Sequence, residues 1–423
     1  MAKAAVTVRP AGLLWLRNYW NARRAPVWLA AAAVVAWLQL LTMPARHWTD
    51  FASFYAAGKL AFSPQVADLR PIIEYELSHG LAATPFLYPP AVALLYVPFT
   101  WLPYDLAAAL HVLVQATVLL GAALLGARLY GIPRRWAILG TVAWAPAAAG
   151  VISGQNSAVL LLLTLAAATG LTGNRWLLAG LALGGATYRP HLGAPLGVLA
   201  AWRRAWRPVA VALGLAAAQY VLGVVATGGM LAWPVHWLAS VVSETGTDFR
   251  AVGWQALSLP GLLGRLSIDG SAEGSLAGPA LVGYAAGAAV ILAARRPLRT
   301  WDAPRAVALT CVLALFAGPR GWSYDGTLLL PAAAVLTRDA AVRGWPWEYR
   351  WLLAATYALA LGWPLGVLIG FNPEAVIVLA APFVLLGWGP FRRFRAPGSG
   401  ASMSSAAAGA GERLSNHARS VTV

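Results

Sequence analysis

Charge is scarce in this chain: only 11% of its 423 residues are Asp, Glu, Lys or Arg, while 59% are hydrophobic. A soluble core cannot accommodate apolar runs that recur along the whole length, so a single water-soluble domain is excluded. Cysteine is nearly absent. The lone Cys311 sits inside an apolar run, which rules out an intramolecular disulfide framework and suits a small core residue. No HExxH, CxxC, P-loop or GxSxG pattern occurs, so metalloprotease, redox, nucleotide-hydrolysing and serine-hydrolase chemistry lose their usual support. No short-period repeat and no soluble domain interrupts the apolar runs.

What is present reads as a polytopic, all-helical membrane protein. A span needs roughly 17 to 25 apolar residues, and broken half-helices can be shorter where protein covers them. Runs at about 27–43, 104–129, 136–152, 156–172, 176–188, 191–202, 207–227, 279–294, 304–318, 326–337, 350–369 and 374–389 predict about twelve transmembrane helices. The basic start (Arg9, Arg17, Arg23, Arg24) and the apolar run after Pro26 resemble a signal peptide, but the run's length and the later spans favour an uncleaved anchor. The net charge of +16 does not point to nucleic acid, because the arginines form small clusters between apolar runs, as orientation in a membrane requires.

Those arginines set the topology. Reading Tyr88–Leu102 as interfacial, and Tyr188-Arg-Pro-His191 as an outer turn, puts 24 of the 31 Lys and Arg on the cytoplasmic side. The domain plan is then a basic cytoplasmic N-terminus (1–26), a transmembrane domain (27–390) and a Gly/Ser/Ala-rich disordered cytoplasmic tail (391–423). Two long segments face outward, 44–103 and 229–277. The first carries its own helical signals, an aromatic amphipathic stretch from Asp50 to Phe62 and a proline-initiated one from Pro71 to Ser78.

The unusual polar residues cluster in the outer turns, so the chemistry is expected there. Asp50, at the water–lipid boundary, suits a general base or the N-cap of a helix starting at Phe51. Arg189, in an otherwise apolar stretch, is the costliest residue to leave unpaired, and its planar fork suits a lipid phosphate or a structural ion pair with an outer carboxylate. Gln155 and Asn156 stand in a turn opening a helix and can bind hydroxyls or an oxyanion. In the turn 318–325, Arg320 can pair with phosphate, Trp322 offers a face to a sugar ring, and Asp325 can orient Arg320 or cap a helix. Tyr88, Tyr324, His191, Lys59 and Gln255 complete the candidates: Lys59 for phosphate, the others for sugar or acceptor. No metal site is expected.

Asp50 in the first outer loop, Tyr88-Pro-Pro90 with Pro98, Gly154-Gln-Asn156, Arg189-Pro190 and the Pro-x-x-Trp-x-Tyr turn at 319–324 stand in an order that resembles glycosyltransferase family 87, of the GT-C class of membrane enzymes. The similarity runs over roughly residues 27–390. It implies a GT-C fold, a polyprenyl-phosphate-linked sugar as donor substrate, no separate cofactor and no obligatory metal. It also implies inverting transfer to a lipid or glycan acceptor at the periplasmic face of a bacterial inner membrane, with Asp50 as catalytic base. Arg189 stands where many members carry lysine, and Tyr324-Asp325 where the mycobacterial mannosyltransferases carry histidines, which leaves the sugar open. The competing reading is a polyprenyl-linked sugar transporter or flippase that binds the same lipid without chemistry.

Overall fold

The computed structural model describes residues 25–41, 49–265, 278–319, 321–362, 366 and 368–394. The basic N-terminus to Arg24, the residues 42–48 ahead of the first outer helix, part of the second outer segment, Arg320 and the tail from Arg395 lie outside them. Among the described residues every regular element is helical. In chain order the helices are α1 (Ala25–Leu41), α2 (Thr49–Lys59), α3 (Leu69–Ser78), α4 (Ala93–Tyr96), α5 (Tyr104–Tyr130), α6 (Arg134–Val142), α7 (Ala145–Ile152), α8 (Ser157–Thr172), α9 (Trp176–Ala186), α10 (Pro190–Trp202), α11 (Trp206–Ala226) and α12 (Trp233–Val252), followed by α13 (Leu259–Arg265), α14 (Gly278–Thr300), α15 (Ala303–Ala317), α16 (Leu330–Val342), α17 (Trp347–Ala360) and α18 (Glu374–Leu386).

Prolines start many of these helices. Pro146, Pro190, Pro304 and Pro331 all lie in first turns, where a missing N–H costs nothing and the fixed φ suits the helix. Asp68 and Asp302 cap α3 and α15 by accepting from Arg70 N (3.1 Å) and Arg305 N (2.8 Å).

Every residue of α15 from Ala303 to Phe316, Cys311 included, is buried, and its one charged residue, Arg305, is ion-paired with Asp339. The long helices around it show apolar side chains outward instead: Leu113 on α5, Leu213 and Val221 on α11 and Leu281 and Val282 on α14 are all more than half exposed. Such faces suit hydrocarbon.

By length and composition three described helices can cross a membrane, α5, α11 and α14. A fourth crossing is open to α6 and α7 together, which bend by 65° at the break before Pro146. Twelve full-length spans are not what the helices show. The runs at 156–172, 176–188 and 304–318 are helices of 10–17 residues, and the 11 residues of α9 extend only about 17 Å against a hydrocarbon core of about 30 Å. Polar turns cut the apolar runs; of the short pieces α15 is buried throughout, while α9 keeps Leu177, Leu178 and Leu181 exposed. The expected span at 326–337 is also divided, into a 3₁₀ turn (Ser323–Leu329) and α16.

The described part of the segment 44–103, residues 49–103, folds as short helices on the bundle. α2 packs against α3 and α4, and its aromatic residues form one cluster: Phe54 stacks on Tyr96 at 4.5 Å, and Phe51 on His111 of α5 at 4.9 Å between ring centroids. Residues 90–101 form two 3₁₀ turns around the four-residue α4, too short to cross a membrane. The compact unit described so far ends at Pro382. The second, from Phe383, holds the end of α18 and a 3₁₀ turn (Gly389–Phe394), with Phe383 and Trp388 ring centroids 6.1 Å apart.

Candidate functional site

The site starts from a glycine. Gly154 has φ of +79°, and a Cβ there would stand 2.6 Å from Phe51 Cβ, so only glycine lets the α7–α8 turn close onto the start of α2. The closure is held by two contacts: Asp50 N donates to Ser153 O at 3.1 Å, and His111 Nε2 lies 2.8 Å from Gly154 O. Asp50 and the Gly154-Gln155-Asn156 turn, about a hundred residues apart in sequence, are thereby neighbours. Gly154→Ala is expected to cost about 1–3 kcal/mol of stability, which thermal unfolding of the purified variant checks.

Asp50 is half-buried. It is not the cap of a helix beginning at Phe51, because α2 already starts at Thr49 and Asp50 lies in its first turn. Its carboxylate stands at the positive end of the helix dipole, where negative charge is stabilised.

Beside it several turns of the chain meet around Arg189. The guanidinium is 5% exposed. Nε donates to the Tyr88 hydroxyl at 3.0 Å and Nη2 to Gln155 Oε1 at 2.5 Å, while Nη1 forms an ion pair with Asp325, 136 residues away in sequence. The Tyr88 hydroxyl in turn faces Gln155 Oε1 at 2.5 Å and Asn156 Oδ1 at 3.2 Å. Tyr88 and Tyr324 wall the guanidinium at 5.2 and 5.5 Å from their ring centroids. Asp325 is fixed from its other side, since Oδ2 accepts from Trp322 N at 3.0 Å. It caps the 3₁₀ turn and neutralises Arg189 at once.

Six sequence candidates therefore converge here: Tyr88, Gln155, Asn156, Arg189, Tyr324 and Asp325. Asp50 adjoins them, and its charge reaches their phenols. Burial pushes the Tyr88 hydroxyl above its ordinary range; Arg189 opposes the rise, and Asp325 and Asp50 add to it. Burial likewise raises Tyr324, with Asp50 the first charge to reinforce it. Trp322 is buried next to Tyr324 and Ala256, and Gln255 precedes that alanine, half-buried.

Two candidates are not gathered in. Lys59 ends α2 nine residues beyond Asp50, about 14 Å along the helix axis, exposed and 5.5 Å from the Tyr55 ring. His191 follows Pro190 and is exposed. Arg320 lies outside the described residues. Among those described, no group of three His, Cys, Asp or Glu side chains gathers as a metal ion would need.

Several buried polar residues join the site with little warning from the sequence. Tyr188 donates to Asn156 O at 2.8 Å and stacks on Tyr88 at 6.1 Å. Asn372 Nδ2 donates to Ser323 Oγ at 2.7 Å, next to the Asp325 turn, and Glu374 lies buried against Gly326. The only signal was Asn and Glu around Pro373 at the head of an apolar run.

Glu76 of α3 is fully buried, with Oε2 accepting from Thr84 N at 2.9 Å. Burial pushes its carboxyl up to about 8; the Thr84 bond opposes and the Asp50 charge adds. A folded-state value above the ordinary 4.5 means that the contribution to stability is complete below pH 4.5 and is lost as pH rises through about 8. Wild type is expected to lose several degrees of Tm between pH 6 and 9, and Glu76→Gln, which keeps the shape without the charge, to lose far less. Parallel pH profiles for the two proteins would contradict this.

No curated protein and no solved structure matches the chain. The sequence profile of glycosyltransferase family 87 matches residues 86–319, a stretch that contains Tyr88, Gln155, Asn156, Arg189 and Gln255 and ends before Trp322. An all-helical chain with membrane-length apolar helices, matched over more than half its length and through the centre of its buried polar cluster, belongs to glycosyltransferase family 87 and is a membrane glycosyltransferase.

Proposed function

We propose that the chain is an inverting, GT-C-type enzyme that moves a sugar from a polyprenyl-phosphate donor to an acceptor hydroxyl, with Asp50 as base. Its active site opens on the periplasmic face of a bacterial inner membrane, with the basic turns between the apolar runs in the cytoplasm. The observation that carries the reading is a buried guanidinium that gathers Tyr88, Gln155 and Asp325 from distant parts of the chain, with Asp50 tied by its backbone to the turn that holds Gln155.

In a single displacement, Asp50 takes the proton of the acceptor hydroxyl while that oxygen bonds to the anomeric carbon. The bond from that carbon to the phosphate oxygen breaks with its electron pair, and the sugar passes through oxocarbenium character. The donor phosphate carries one negative charge and leaves with two. Arg189 answers that gain, sharing its fork between Asp325 and the phosphate, with Arg320 as a second cation. Polyprenyl phosphate is already a good leaving group, so no general acid is required. Tyr88, Gln155 and Asn156 orient hydroxyls, and Trp322 and Tyr324 offer faces to a sugar ring. No cofactor beyond the lipid-linked sugar enters the step.

The test is to supply the protein in proteoliposomes with radiolabelled polyprenyl-phosphate sugars, hexoses and pentoses in turn. Transfer with inverted anomeric configuration is expected. Transfer with retention, or only from nucleotide sugars, would refute the reading.

A further inference from the structure

A cavity of about 450 Å³ lies at the other end of the bundle, lined by Gly170, Asn174, Trp176, Arg204, Trp206 and Arg207 among others. That volume is within the roughly 300–1,000 Å³ of small-ligand pockets. α8 begins beside Asn156 in the polar cluster and its 16 residues end at the cavity, so the two sites are separated by about 24 Å. They are distinct.

We infer that this cavity binds the phosphate headgroup of an anionic membrane phospholipid. Depth and charge carry the argument. Trp176 and Trp206 are the first residues of α9 and α11, 44% and 62% exposed; tryptophans at the head of apolar helices mark headgroup level. Arg204 and Arg207 are exposed, and neither guanidinium has a carboxylate or carbonyl partner among the described residues. None stands nearby in the chain, for between Asp105 and Glu244 the sequence has no Asp or Glu at all. In the turn that the adjacent Arg203 contacts, Asp302 is taken by Arg338 at 2.9 Å, and Arg203 itself is spent on the carbonyls of Leu298 and Trp301.

The backbone adds to the charge. α9 and α11 are packed by close approach at Gly184, where a Cβ would meet Leu215 Cβ at 2.8 Å, and both helices start at the cavity. Two positive dipole ends and two arginines thus share one cleft with no internal counter-ion. A bilayer supplies the missing anion at that depth, and an Arg fork matches a phosphate.

The test uses full-length purified protein titrated with phosphatidylglycerol or phosphatidylcholine of identical chains, with retained lipid counted by native mass spectrometry. Phosphatidylglycerol is expected to be retained at about tenfold lower concentration, two arginines near the surface each adding to its affinity. Arg204→Asn combined with Arg207→Gln should remove that preference. Asn is chosen because Arg204 has φ of +59°, a conformation Asn tolerates. The control pair Arg134→Gln and Arg135→Gln, also exposed and at the head of α6, should leave the preference intact. Wild type without a preference, loss in the control equal to that in the cavity variant, or displacement of the lipid by millimolar inorganic phosphate would each overturn the assignment.

Discussion

Asp50→Asn is expected to lower sugar transfer by about a hundred- to ten-thousandfold, the range spanned by a positioned general base, while donor binding and thermal stability stay close to wild type. The substitution is nearly isosteric. Two backbone contacts hold residue 50: its N–H donates to Ser153 O at 3.1 Å and its carbonyl accepts from Ser53 Oγ at 2.9 Å. Asn makes both contacts equally well, and they keep the start of α2 on the Gly154 turn. The amide cannot take the acceptor's proton, and the loss falls on kcat more than on KM. Asp50→Ala opens space as well and separates the two effects less cleanly. Transfer by Asp50→Asn within a few-fold of wild type would remove Asp50 from the chemistry and leave it as the residue that stabilises the first turn of α2.

The sequence made the site residues visible but not their pairing. Asp50, Gln155, Asn156, Arg189 and Asp325 stand out because each interrupts an apolar run, and a buried polar group must find a partner or a ligand. Which of the two it finds depends on contacts across more than a hundred residues. Arg189 reads first as a phosphate ligand, with an ion pair to an outer carboxylate as the alternative; the structure shows that pair, with Asp325. Glu76 was hidden for a similar reason. In a short polar helix of an outer loop it reads as solvent-facing, and only the packing of α3 against α2 buries it. Hydropathy also gave the runs their positions without their lengths. It cannot tell a crossing helix from an 11-residue one such as α9, because coverage by neighbours decides whether a short helix can lie at membrane depth.

The Arg189–Asp325 pair yields the second large effect, and a double substitution separates its two roles. Arg189→Ala leaves the Asp325 carboxylate, 4% exposed, with the Trp322 N–H bond but without its buried cation, and uncompensated buried charge costs about 3–5 kcal/mol. Transfer should vanish, but so should much of the folded protein, and activity alone would prove nothing. Arg189→Met together with Asp325→Leu removes both charges and keeps the volume, an exchange that is often neutral or stabilising for buried pairs. Thermal stability should therefore return to near wild type in the double variant. If Arg189 also answers the charge gained by the departing phosphate, transfer should stay below about one per cent of wild type despite the restored fold, since Met offers no donor. Arg189→Lys falls between: the charge survives and the fork is lost, so transfer should drop about tenfold with the fold intact. A double variant that is both stable and active would show that the guanidinium holds the outer turns together and does nothing for the leaving group. In that case the phosphate must be met by another cation, and Arg320, which precedes Gly321 and Trp322 in the sequence, is the next to substitute.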